Sequence, residues 1–215
     1  MAGFFPMFVR LAGRIVVVVG GGDLAIRTTE ALLACDAAVH LISPAPSPGF
    51  KRLRHARNLT LITRRLQDGD LEDALLALAV DDDPSVNLQT ARQGLEWNVL
   101  VSVADELALS DFVVPSFVHR GGLTLALHMG VPSTALARRI SEDLEHALSP
   151  EYGDFIAALE RVRERIATEV ADQHQRALLF ERIVRSDLLE VIRREGRAAA
   201  EARIDSLLAD ATTRR

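Results

Sequence analysis

The chain has 215 residues, 48% of them hydrophobic, and a formal net charge of −5. That is enough apolar material for one α/β domain and an appendage, and it excludes a globally disordered chain. The acidic balance argues against a general nucleic-acid binder, and the single cysteine, Cys35, excludes an internal disulfide and a cysteine-based zinc or iron–sulfur centre.

The opening MAGFFPMFVRLAG is apolar but has no basic lead-in and no cleavage site. It reads as neither signal peptide nor membrane span, and the expected compartment is the cytoplasm. Phe4 to Val9 are expected to pack under a sheet. Ile15–Val19 is a run of five β-branched residues, followed by three glycines and a helical pattern from Asp23 to Cys35. Gly20, Gly22 and Ala25 fit G-x-G-x-x-G/A, in which the first glycine turns the chain off the strand. The second lets a pyrophosphate approach the backbone, and the alanine lets the helix pack closely on the sheet. The competing reading is a glycine-rich turn that holds nothing. Ala38–Ile42 is a second strand, ending in the Pro-rich SPAPSPGF. Ser43, Pro44 and Ala45 stand where an acidic ribose partner is usual, so ribose recognition falls to backbone or to Ser43. Lys51, Arg52 and Arg54 suit either a 2′-phosphate or a solvated helix face.

Leu59–Thr63 is a third strand. A short helix is expected from Leu71 to Leu76, passing into a buried run that ends at Val80. Asp81, Asp82 and Asp83 then precede Pro84. Adjacent side chains seldom converge on one ion, and Asp83 suits the cap of a helix starting near Pro84, so no metal site is expected here. A helix over Ser85–Glu96 and a fifth strand over Trp97–Val103 complete a parallel, doubly wound, Rossmann-like sheet. Asp111–Val118 and Leu123–His128 read as a hairpin turning through residues 119–122. Pro132 and Ser133 open a helix with the apolar face Leu136, Ile140 and Leu144, and the rest of the chain is helical.

Open α/β sheets bind ligands beyond the carboxyl ends of their strands. Asp105 lies two residues past the fifth strand, and a carboxylate there suits a general base beside a nicotinamide ring; the plainer reading from spacing alone is a loop Asp in a turn. His119, Arg120, His128, Arg138 and Arg139 gather in the hairpin and the next helix. They suit a polyanionic substrate or, more plainly, a solvated surface.

Four segments carry a resemblance to a known family: FFPMFVRLAGRIVVVVGGGDLAIR, DDDPSVN, VSVADELALSDFVVPSFVHRGGLTLAL and PSTALARRISEDLE. Together they resemble the precorrin-2 dehydrogenase/sirohydrochlorin ferrochelatase family, which includes the amino-terminal part of siroheme synthase, over essentially the whole chain. The resemblance implies a Rossmann-like NAD-binding domain over residues 1–112, a β-hairpin/helix dimerisation region over 113–149 and an all-helical C-terminal domain over 150–215. It implies oxidation of precorrin-2 to sirohydrochlorin with NAD as cofactor, and in some members Fe²⁺ insertion. Asp105 falls on the family's catalytic aspartate. Cofactor contacts would fall on Gly20, Gly21, Gly22, Asp23, Leu24, Ser43, Pro44, Ala45, Val80 and Asp81. Substrate contacts would fall on Ser102, Ser116, Arg120, His128, Met129, Gly130 and Arg138, and no resident metal is implied. The implied partners are an eight-carboxylate tetrapyrrole and a second copy of the chain, with no nucleic acid and no membrane. Thr28, Asp81, Ser102, Met129, Val131 and Pro132 depart from the family pattern, the last three in the substrate loop. Two alternatives stand beside this reading. One is a non-catalytic NAD- or tetrapyrrole-binding regulator of the same fold. The other is an NAD-linked oxidoreductase for a different anionic substrate.

Overall fold

The structure is a computed structural model, and it describes residues 3–129 and 134–213. The chain divides into two compact units, Met1–Val114 and Pro115–Arg215.

In the first unit, β1 (Ile15–Val19), β2 (Ala38–Ile42), β3 (Leu59–Ile62), β4 (Leu76–Ala79) and β5 (Leu100–Val103) form one parallel sheet in the order β3-β2-β1-β4-β5. Two helices cover it, α1 (Asp23–Ala34) and α2 (Pro84–Trp97). Both faces are dry, which is why β1 is an unbroken run of β-branched residues rather than an alternating one. Val16 and Val18 pack with Ala25, Ile26 and Leu32 of α1. Val17 and Val19 pack on the opposite face with Ala91 of α2, Leu71 and Val101. Strand order reverses between β1 and β4, and a crevice opens at the carboxyl ends of such neighbours.

Three sequence expectations are corrected here. No helix forms over Leu71–Leu76; residues 70–73 make turns and β4 starts at Leu76. Leu71 is an isolated anchor with no exposed surface, so its burial is that of a turn and not of a helix face. Trp97 closes α2 instead of opening β5. Asn98 takes a left-handed conformation (φ 54°) and donates its N–H to the Gly94 carbonyl, which ends the helix one residue later than expected. Finally, the lead-in is not packed under the sheet as a whole: Phe5 is 83% and Phe8 76% exposed, while Leu11 packs against the core.

The loop feeding β4 is held by a bidentate pair. Arg64 Nη1 and Nη2 donate to Asp70 Oδ2 (2.6 Å) and Oδ1 (2.7 Å), and Gln67 N–H adds a bond to Oδ2 (2.8 Å). The Arg64 guanidinium holds the Asp70 carboxyl below its ordinary value, against partial burial, with Gln67 N–H assisting. A carboxyl depressed on folding stabilises above its unfolded value and loses that contribution as pH falls through the folded one. Stability should therefore decline as pH drops below about 4, and Asp70→Asn should flatten that limb of a melting-temperature-versus-pH curve.

The second unit opens with an antiparallel hairpin, β6 (Ser116–Arg120) and β7 (Leu123–Leu127). Its first strand starts five residues later than expected, because Ser110 and Asp111 are bound to β5. His119 and Arg120 lie within β6, which leaves Gly121 and Gly122 as the turn. Gly121 has φ 57°, and a Cβ there would stand 2.9 Å from the Gly153 Cα. Helices α3 (Thr134–Ala147), α4 (Glu151–Glu169), α5 (Gln173–Val184), α6 (Leu188–Glu195) and α7 (Arg197–Thr213) follow. The last four share one core around Val162, Ile183, Leu188 and Ile204. The residues expected to open α3, Pro132 and Ser133, lie outside the described residues.

Candidate functional site

The carboxyl edge of the sheet brings together three of the predicted segments. The three glycines after β1 play different parts. Gly20 has φ 137°, and a Cβ on it would lie 2.7 Å from the Val80 carbonyl carbon and oxygen and 2.8 Å from Asp81 N. A Cβ on Gly21 would lie 2.4 Å from Ser43 Oγ and 2.8 Å from the Ala45 carbonyl oxygen. Gly20 and Gly21 are thus wedged against the segments after β4 and β2. Gly22 is different. Its φ is an ordinary −83°, and the space where its Cβ would stand holds nothing nearer than the Asp82 carboxylate at 3.5 Å.

Gly22 is also the N-cap of α1, and no side chain caps it. The first-turn N–H groups, those of Asp23 and Leu24 among them, have no partner within the helix, and Gly22 leaves the approach to them open. This arrangement fits the pyrophosphate of a dinucleotide. The loop after β2 closes one side. Ser43 is buried, its Oγ accepts from Ala45 N–H (3.3 Å), and Ser47 N–H donates to the Gly21 carbonyl (2.8 Å). Arg52 pairs with Glu30 (2.9 Å) on an exposed face, as the solvated-helix reading has it.

The segment after β4 accounts for its three carboxylates one by one. Asp81 Oδ1 accepts from Asp83 N–H (2.9 Å). Asp83 Oδ1 accepts from Ser85 N–H (2.9 Å) and from the Ser85 hydroxyl (2.7 Å), capping α2 above Pro84. The Ser85 hydroxyl, then its N–H, hold the Asp83 carboxyl below its ordinary value. Asp82 carries the carboxylate beside Gly22. Among the described residues no group of three His, Cys, Asp or Glu side chains could hold a metal ion.

Asp105 stands on the same edge. β5 lies beside β4, with Val103 paired to Ala79, and Ala104 N–H donates to the Ala79 carbonyl (2.9 Å). Asp105 follows, exposed, at φ 60°, a conformation that costs a non-glycine residue energy and that Asp tolerates better than most. The segment beyond it is tied back to β5. Asp111 Oδ2 accepts from Val101 N–H (2.9 Å) while Asp111 N–H donates to the Val101 carbonyl (2.8 Å). Ser110 Oγ accepts from Val103 N–H (2.9 Å). Asp105 therefore sits on a short span pinned at both ends. Ser102, half-buried, is within β5 itself.

The remaining candidates lie in the second unit. Ser116 is exposed at the start of β6, and His128 is exposed and Met129 half-buried past the end of β7. His119 Nδ1 shares a 2.9 Å hydrogen bond with Thr124 Oγ1. Arg120 Nε donates to the Leu148 carbonyl (3.2 Å) and Nη1 to its neighbour's carbonyl, so this guanidinium staples the hairpin to the end of α3. Arg139 pairs with Asp143 within α3. Gly130 and the Arg138 side chain lie outside the described residues.

Residues 7–116 match the family model "Putative NAD(P)-binding", and residues 151–208 match the sirohaem synthase dimerisation region. The chain belongs to the precorrin-2 dehydrogenase/sirohydrochlorin ferrochelatase family. It is 32% identical over 207 residues to the siroheme synthase of Xylella fastidiosa (strain M12), covering 96% of this chain and 44% of that one. It is 29% identical over 205 residues to the siroheme synthase of Thioalkalivibrio sulfidiphilus (strain HL-EbGR7), covering 95% and 42%. The chain thus spans less than half the length of these curated relatives. The solved structure of SirC, precorrin-2 dehydrogenase, superposes with a TM-score of 0.80 at 22% identity, over 94% of this chain and all of that one, and shares its fold.

Within the family pattern, DDDPSVN now has structural content that the sequence reading missed. Asn87, buried in the first turns of α2, is bound to the backbone of Asp81. The signal was available: an amide side chain eight residues past the end of a strand, one turn into the next helix, can reach back to that strand's exit.

Proposed function

We propose that this chain oxidises precorrin-2 to sirohydrochlorin with NAD as hydride acceptor, as a step of siroheme synthesis. The observation that carries the reading is the open, uncapped α1 N-terminus at Gly22, on the same sheet edge as the left-handed Asp105. NAD, when bound, supplies the acceptor for a hydride. Backbone N–H groups of Asp23 and Leu24 would hold its pyrophosphate, and the Ser43–Ala45 loop its adenosine ribose. Val80 and Asp81 would border the nicotinamide half. The Asp105 carboxylate takes the proton that leaves the substrate as the hydride departs from carbon, so two electrons and two hydrogens are accounted for. Ser102, Ser116, Arg120, His128, Met129, Gly130 and Arg138 are proposed for the substrate side, where cationic and polar groups suit a ligand with eight carboxylates. Fe²⁺ would be a further substrate rather than a resident metal. We propose a homodimer, given the dimerisation region, and the three-part division at residues 112 and 149. No described helix is long and apolar enough to cross a membrane, and we place the activity in the cytoplasm.

The test is anaerobic absorbance. Precorrin-2 with NAD and the protein should convert to the sirohydrochlorin spectrum, with NADH formed in equal amount. Binding of both ligands without conversion would overturn the enzymatic reading and favour the regulator. Repeating the reaction with Fe²⁺ reads chelation separately.

A further inference from the structure

The exit of β4 is held by one buried side chain. Asn87 Oδ1 accepts from Asp81 N–H (3.0 Å), and Asn87 Nδ2 donates to the Asp81 carbonyl (2.9 Å). Both halves of the amide are thus spent on one residue's backbone. That backbone is the surface on which Gly20 is seated: a Cβ on Gly20 would stand 2.7 Å from Val80 and 2.8 Å from Asp81 N. The next residue, Asp82, is the one whose carboxylate borders the open space at Gly22. A shift of the β4 exit by a few tenths of an ångström therefore changes both the seat of Gly20 and the distance from Asp82 to the α1 N-terminus. We infer that Asn87 is a positioning residue for the dinucleotide, acting through the Asp81 backbone on the crevice between β1 and β4. This rests on the reading of that crevice as the NAD site, and it assigns a role to a residue that touches no cofactor.

Asn87→Asp keeps the size and the acceptor but loses the donor, and it sets a carboxylate oxygen against the Asp81 carbonyl. The charge also desolvates poorly at this buried position. Calorimetric titration with NAD should show the dissociation constant raised about tenfold or more, as the loss of one buried bond implies. In turnover the effect should fall on the KM for NAD, with kcat lowered no more than about threefold. A purely structural role would lower the melting temperature and leave the NAD affinity of the folded fraction unchanged, and that result overturns the inference. If the wild type binds neither NAD nor NADP, the reading of the crevice fails, and the inference with it. Should Asn87→Asp not fold, amide hydrogen exchange on the wild type decides. The Asp81 N–H should slow at least about tenfold further when NAD saturates, as a clamp tightened by the ligand requires. Unchanged exchange at Asp81 overturns the inference.

Discussion

Asp105→Asn should lower precorrin-2 turnover by at least about 100-fold, the ordinary worth of a positioned general base, while NAD affinity stays within about threefold of wild type. The choice of Asn matters. Asp105 has φ 60°, a region in which Asn is as comfortable as Asp and Ala is not. Asn therefore removes the charge and the proton acceptor but keeps the loop. Asp105→Ala adds a backbone cost of about 1–2 kcal/mol and would mix a shape change into the chemical one. Pre-steady-state absorbance read beside calorimetric NAD binding separates the two. Full turnover by the Asn variant would remove Asp105 from the proton transfer. Loss of NAD binding in the same variant would instead make it a cofactor contact.

Two glycines separated by a single residue should fail in opposite ways. Gly20→Ala forces a Cβ to within 2.8 Å of backbone atoms of Val80 and Asp81, at φ 137°. Neither neighbour is the soft end of a side chain, so the sheet itself must give. A cost of about 2–4 kcal/mol follows from strain and overpacking together, with the melting temperature down by roughly 5–15 °C. Gly22→Ala meets no backbone or apolar atom within 4 Å and has an ordinary φ. Its melting temperature should move less than about 3 °C, the scale of a changed N-cap. Its methyl would, however, fill the space through which a pyrophosphate reaches the α1 N–H groups, and NAD affinity should fall at least about 30-fold. Differential scanning fluorimetry and NAD titration of both variants check this. Wild-type NAD affinity in Gly22→Ala would mean that the dinucleotide lies elsewhere.

Much of this was legible in the residues. An unbroken Val run is what a strand buried on both faces must be, and the G-G-G turn and Pro84 mark where α1 and α2 begin. What could not be read was how a run of identical charges is shared out. Asp81, Asp82 and Asp83 look alike in sequence, yet one makes a turn, one faces a glycine and one caps a helix. That division depends on Asn87 and on Gly22, six and sixty residues away. Arg120 is a second case: its guanidinium donates to the Leu148 carbonyl at the end of α3, a partner 28 residues away that no spacing in the sequence announces. The exposed Phe5 and Phe8 mark the limit of composition as a guide. Apolarity predicts burial against something, and among the described residues Leu11 of the lead-in packs against the sheet's core while Phe5 and Phe8 stay exposed.

The tie between β5 and the segment after it reaches beyond the Asp105 span. In a parallel sheet the outer strand presents its alternate N–H and C=O groups to whatever lies alongside. On β5 these are the groups of Val101 and Val103. Asp111 takes both of Val101's, Ser110 takes the Val103 N–H, and Glu106 N–H supplies the Val103 carbonyl at 3.3 Å. The edge is saturated by its own chain, with two polar side chains standing in for a strand. No foreign segment can add there without first displacing them, so the sheet carries its own protection against templated aggregation on that side. Ser110→Ala and Asp111→Ala should expose it, and accelerated fibril formation on mild heating is the form that exposure would take.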